Sequence, residues 1–68
     1  MEIEGRQVTT EKNYLDPVTY VPNHAKGNAG HKDCQQGVII EVREGSVMVL
    51  YCHTRTVQAT NPSDLVWG

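Results

Sequence analysis

Two histidines and a cysteine, His24, His31 and Cys34, fall within the single stretch from Asn23 to Gln36 (NHAKGNAGHKDCQQ). Cys52 and His53 follow further along. Imidazole and thiolate are the ligand types zinc favours, four to an ion in tetrahedral geometry. His24, His31, Cys34 and Cys52 are therefore the candidate metal ligands, and zinc is the one cofactor that these residue types suggest. An ion would add stability to a domain whose core has no Phe to draw on. The spacing matches no familiar zinc knuckle, because there is no C-x₂-C and His24 to His31 exceeds the usual H-x₃₋₅-H. The plainer expectation is thus no cofactor, with the histidines solvated and the thiol acting as a small apolar group.

Cys34 near His31 also pairs a nucleophile with a base. A catalytic cysteine needs an oriented base, a lowered pKa and an oxyanion site. The neighbouring Asp33 opposes thiolate formation, so the expectation is a protein that is not an enzyme. Lys26-Gly27-Asn28-Ala29-Gly30 lacks the order of a phosphate loop, and no helix pattern follows it. Its glycines let the chain turn back on itself.

The stretch that carries these residues has two glycines and no large apolar side chain, so it reads as a loop. Long loops in compact domains are usually functional or disordered. Tyr20, His24, Lys26, His31, Lys32 and Asp33 are the candidate binding residues on or beside it. The chain has eight acidic and six basic residues, a net charge of −2, so the whole gives no electrostatic case for clamping nucleic acid. Residues 18–36 are the most basic part, with Lys26 and Lys32 against Asp33. Tyr20, Tyr51 and Trp67 are aromatics on which bases stack in small barrels, with Lys26, Lys32, Arg43 and Arg55 to meet phosphates. A nucleic-acid-binding barrel is accordingly the alternative to a protein-binding one.

The elements that must position this loop are β-strands. Val18 to Pro22 is β-branched and aromatic and reads as a strand that Pro22 ends. From Gly37 to Thr54 the alternation sets Val38, Ile40 and Val42 on one face and Ile39, Glu41 and Arg43 on the other. After the Glu44-Gly45 turn, Val47, Val49 and Tyr51 alternate with Met48, Leu50 and Cys52. Thr56 to Thr60 reads as a further strand. Asn61-Pro62-Ser63-Asp64 predicts a short 3₁₀ turn that lets Leu65 plug one end, before a last strand at Val66 and Trp67.

Residues 1–17 read as an arm, either disordered or docked on a partner, with a short strand around Gln7 to Thr10; Asp16-Pro17 marks its end. Residues 18–68 are the expected domain. Length allows one domain only, burying about 60% of its unfolded surface, so a homo-oligomer is a further expectation. There is no apolar run long enough for a membrane span, and the acidic N-terminus has no signal-like apolar core. A cytoplasmic protein with two thiols is the expected result.

Four to five short strands, no helix, one long early loop and a 3₁₀ turn near the C-terminus predict an all-β, small SH3-like barrel. The run from Val18 onward resembles barrels of the KOW and Tudor type: an early strand, a long loop, Gly37-Val38-Ile39-Ile40-Glu41-Val42, a Gly turn, Val47-Met48-Val49-Leu50-Tyr51, and a closing Pro62-Ser63-Asp64-Leu65. Val18-Thr19-Tyr20-Val21-Pro22-Asn23-His24-Ala25 with His31-Lys32-Asp33-Cys34 is similar to short uncharacterised proteins of phages and prophages. This resemblance implies an SH3-like fold and a mobile-element origin in a bacterial host, with no activity attached. Val57-Gln58-Ala59-Thr60 partly resembles the Val-Gln-Ile-Tyr strand of the plasmid-borne dihydrofolate reductases. Ala59 and Thr60 replace the residues that would meet the ligands there, and fold alone does not imply function. The reading is a non-enzymatic binding module that contacts a host or phage protein through the 23–36 loop.

Overall fold

A computed structural model describes all 68 residues. The protein is mostly β. Strands β1 (Glu2–Ile3) and β2 (Arg6–Gln7) make a small antiparallel hairpin, followed by one helical turn, α1 (Thr10–Asn13). Strands β3 (Pro17–Tyr20), β4 (Gln35–Arg43), β5 (Ser46–Tyr51), β6 (Thr56–Thr60) and β7 (Leu65–Trp67) form one antiparallel sheet in the order β6-β5-β4-β3-β7. The expected closed barrel does not form. β6 and β7 lie at opposite edges with no ladder between them, so the sheet is open. Short 3₁₀ turns at Asn23–Ala25 and Pro62–Asp64 precede the loop and β7.

The β4–β5 hairpin supplies the centre of the core. Val47 and Val49 have no exposed surface and Tyr51 is 4% exposed, while Met48 and Leu50 turn outward, as the alternation predicts. On β4 the expected grouping of Val38, Ile40 and Val42 on one face does not hold. A β-bulge between Ile39 and Glu41 inserts an extra residue, so fully buried Ile39 and core-packed Val42 both point inward although three positions apart. Val38 and Ile40 are therefore left out of the core cluster. The bulge has local anchors. The Ile39 N–H donates to the Asp16 carbonyl (3.0 Å) and the Leu15 N–H to the Ile39 carbonyl (2.7 Å). Beyond it, the Val42 N–H donates to Thr10 Oγ1 (2.8 Å), which fixes α1 to the far half of β4. Gly37 is required where β4 crosses β5: a Cβ there would lie 2.6 Å from both the Leu50 carbonyl oxygen and Val49 Cγ1.

Residues 1–17 pack against the 18–68 unit. Ile3 (no exposure) and Val8 (3%) belong to the same core cluster as Val18, Ile39 and Leu65. Their hairpin turns at Glu4 and Gly5, both at positive φ (51° and 78°). Trp67 locks it down: its indole N–H donates to the Ile3 carbonyl (2.9 Å), its backbone N–H to Glu4 Oε1 (2.7 Å), and the Arg6 guanidinium sits 4.2 Å over its ring. Instead of a strand reaching Thr10, Thr9 caps a helical turn, accepting the Lys12 N–H on Oγ1 while the Asn13 side chain accepts the Thr9 N–H. An all-strand expectation missed this turn because four residues are too few to show helical periodicity.

Thr56–Thr60 and the 3₁₀ turn with Leu65 beneath it fall where predicted. On the outer face, Pro17, Val38, Leu50 and Val57 lie opposite one another across four strands, an apolar row exposed in part. No helix is long and apolar enough to cross a membrane.

Candidate functional site

The segment between β3 and β4 is shorter and more ordered than a bare loop. Gln35 and Gln36 already belong to β4, and Asn23–Ala25 form a 3₁₀ turn with Ala25 buried. The rest advances by successive three-residue steps. Asn28 N–H donates to the Ala25 carbonyl (2.9 Å), His31 N–H to Asn28 (3.1 Å) and Cys34 N–H to His31 (3.0 Å). These bonds satisfy the backbone of a segment that has almost no apolar side chain to bury.

That path brings His24, His31 and Asp33 together. His24 Nε2 lies 2.7 Å from Asp33 Oδ2, and His31 Nδ1 lies 4.0 Å from the same oxygen. The two imidazoles meet edge to face, centroids 5.5 Å apart. The Asp33 N–H donates to His31 Nδ1 at 3.0 Å. One ligand atom from each of the three residues falls within 4.8 Å of the others.

The predicted ligand set His24, His31, Cys34 and Cys52 is not assembled. Asp33, rather than a cysteine, completes the group. Cys34 and Cys52 are free thiols. They share with His31 and His53 a depression of about 770 Å³ on one side of the loop, and Cys34 Sγ donates to the Asn28 carbonyl at 3.5 Å. With its sulfur on Asn28 and His31 Nδ1 on the Asp33 amide, the suggested nucleophile and base are not paired. Asp33 was expected only as a loop contact. Two loop turns bring it, two residues after His31, round to His24.

The other candidates scatter. Lys26 reaches away from the histidines, its Nζ 2.8 Å from Asp64 Oδ1 and 3.2 Å from the Ser63 carbonyl. Lys32 is exposed. Tyr20 is half-buried against the core, edge to face with Tyr51 at 6.4 Å. Tyr51 hydrogen-bonds Thr60 Oγ1 at 2.6 Å, and burial pushes its phenol above the usual value of 10.0, opposed in part by that bond. Arg43 pairs with Glu41 at 2.9 Å. Trp67 and Lys26 line one cavity, whereas Tyr20 packs on Tyr51 and Arg43 on Glu41.

A second cavity, about 730 Å³, was not foreseen. Lys26 to Ala29 form one wall, Pro62 and Ser63 another, and Val21, Leu65 and Trp67 line it between them. Glu2 and Glu4 of the β1–β2 hairpin stand at its border. It went unread in the sequence because its walls come from three distant segments, one of them the arm that had been set aside.

No protein-family model, curated protein or solved structure matches this chain.

Proposed function

We propose that this chain is a non-enzymatic binding module of a phage or prophage, acting in the cytoplasm of a bacterial host, that holds a segment of a protein partner against the 23–36 loop. The observation that carries this reading is the groove between Lys26–Ala29, the Pro62–Ser63 turn and Trp67. An open cleft that mixes apolar residues, Val21, Leu65 and Trp67, with polar ones is a form a peptide can occupy. Glu2 and Glu4 at the border favour a basic side chain in the occupant, next to an apolar one over Leu65 and Trp67. The Lys26–Asp64 pair staples the loop wall to the turn wall, so the groove is formed before a partner arrives.

An SH3-like fold is part of the proposal. Its support is the meander β3-β4-β5-β6 with β7 returning beside β3, and the 3₁₀ turn directly before β7. A nucleic-acid-binding barrel has less support, since Lys26 and Arg43 are each engaged by a carboxylate.

The test is photo-crosslinking in bacterial lysate with benzoyl-phenylalanine in place of Ala29, and separately in place of Val57 on the distant β6. Discrete protein adducts from position 29 and not from 57 are expected. No adducts at 29, or equal adducts at both, would remove the groove as the contact surface. Salt-sensitive binding of short oligonucleotides without protein adducts would put the nucleic-acid reading in its place.

A further inference from the structure

We infer that His24, His31 and Asp33 form a binding site for a divalent transition ion of borderline softness, zinc being the physiological choice. The site lies on the loop but is separate from the groove proposed above, whose lining omits all three residues. Two imidazoles and one carboxylate suit zinc and its neighbours, whereas calcium and magnesium require mostly oxygen donors.

Two of the three donor separations are close to what an ion needs, and the third lies within 4.8 Å. Donors at zinc's usual bond lengths stand about 3.4 Å apart around a tetrahedron. His24 Nε2 and Asp33 Oδ2, at 2.7 Å, have to part by about 0.7 Å, and His31 Nδ1, at 4.0 Å from Asp33 Oδ2, has to approach by about 0.6 Å. These are side-chain adjustments. The backbone that carries the donors is held by the chain of turns at Ala25, Asn28 and His31, and by Asn28 Oδ1 accepting the Gly30 N–H at 3.2 Å.

Binding exchanges existing bonds for metal bonds at small cost. Ligation through His24 Nε2 shifts the ring proton, which Nε2 donates to Asp33 Oδ2 in the ion-free bond, to Nδ1. The His31 lone pair passes from the Asp33 amide to the ion, and that amide, on an exposed residue, turns to water. The His24–Asp33 contact that opens is itself solvent-exposed on both sides, 62% and 47%, and exposed pairs contribute little to stability. Lys26, the closest loop cation in sequence to His24, has its charge held by Asp64. The protein supplies three ligands, which leaves a fourth position for water, the arrangement of an open zinc site.

Calorimetric titration of chelator-treated protein with zinc chloride, with calcium and magnesium chlorides as controls, tests this. One zinc per chain is expected, with a rise in melting temperature and no saturable response to calcium or magnesium. Asp33→Asn and His24→Ala are each expected to weaken zinc binding about tenfold or more. His53→Ala and Cys52→Ser are expected to leave it unchanged, and circular dichroism checks that each variant is folded. Cobalt(II) then reports the ligand atoms, since a thiolate ligand adds a near-ultraviolet charge-transfer band that nitrogen and oxygen donors do not. The absence of one-to-one zinc binding overturns the inference. So does full affinity in folded His24→Ala and Asp33→Asn, or a cobalt thiolate band that disappears in Cys34→Ser.

Discussion

The β4–β5 hairpin and the segment joining β3 to β4 are held in place by opposite means. In the hairpin, Ile39, Val47 and Val49 are sealed from solvent, and the ladder positions them. In the joining segment only Val21 and Ala25 are buried. Its shape comes from backbone turns and from two exposed ion pairs, His24–Asp33 and Lys26–Asp64. Apolar burial removes water and is worth roughly 25 cal/mol per Å², whereas an exposed ion pair is worth about 0–1 kcal/mol. Burial is therefore concentrated in one region, and the cluster of His24, His31 and Asp33 lies in the other. Side chains of the loop are accordingly expected to be replaceable without unfolding the sheet.

The largest predicted effect breaks the hairpin. Val49→Asp places a carboxylate where there is no exposed surface and no polar partner, a cost of several kcal/mol, on the order of the whole stability of a domain this small. The variant is expected to be unfolded by circular dichroism at room temperature. Leu50→Asp, one residue along on the partly exposed outer face, is expected to fold with a lowered midpoint in urea. Equal midpoints for the two would show that β5 has no inner and outer side, and the contrast between hairpin and loop would lose its basis.

What the sequence showed follows the same division. On β5 the period-two alternation separates Val47, Val49 and Tyr51, which are buried, from Met48 and Leu50, which are not. On β4 both faces are aliphatic from Val38 to Ile40, so alternation had no means of choosing. The choice is made by Asp16 and Leu15 bonding the backbone of Ile39, contacts from a distant turn that no local pattern contains. Ile3 and Val8 were isolated apolar residues among polar ones, and only the hairpin at Glu4–Gly5 gives them a common direction. In the loop, the residue types of His24 and His31 were informative and their partner was not. Residue type suggested Cys34, although the spacing matched no zinc knuckle, but the turn at His31–Cys34 leaves Asp33 facing His24.

A smaller effect is expected at the edge of the core, where burial and polarity meet. Tyr51 carries its hydroxyl into the protein and shares a 2.6 Å hydrogen bond with Thr60, itself 6% exposed. Tyr51→Phe keeps the ring and removes the bond, at a cost of about 1 kcal/mol. The loss is limited because Thr60 Oγ1 keeps a bond to the Gln58 carbonyl at 3.3 Å. The same substitution changes the alkaline limb of the stability profile. Burial raises the Tyr51 pKa in the folded state above its unfolded value of 10.0. The stability this represents is fully present below that unfolded value and is lost as pH rises through the folded one, because the unfolded chain releases the proton first. Urea midpoints are expected to fall more steeply above pH 10 in the wild type than in Tyr51→Phe. Parallel slopes would mean that the phenol is hydrated in the folded protein.

The smallest effect is expected in the loop, and it tests the contrast from its other end. His24→Ala, measured with chelator present, removes one side of a pair whose partners are 62% and 47% exposed. The pair gains little Coulomb energy in water and holds two side chains still, so the expected change in unfolding free energy is within about 0.5 kcal/mol. The three-residue turns that shape the segment are backbone bonds and survive the substitution. A urea midpoint matching the wild type, together with unchanged amide exchange in β4 and β5, is the predicted result. A loss near that of Tyr51→Phe would mean that the loop helps hold the sheet together, and that residues 23–36 belong with the hairpin in a single cooperative unit.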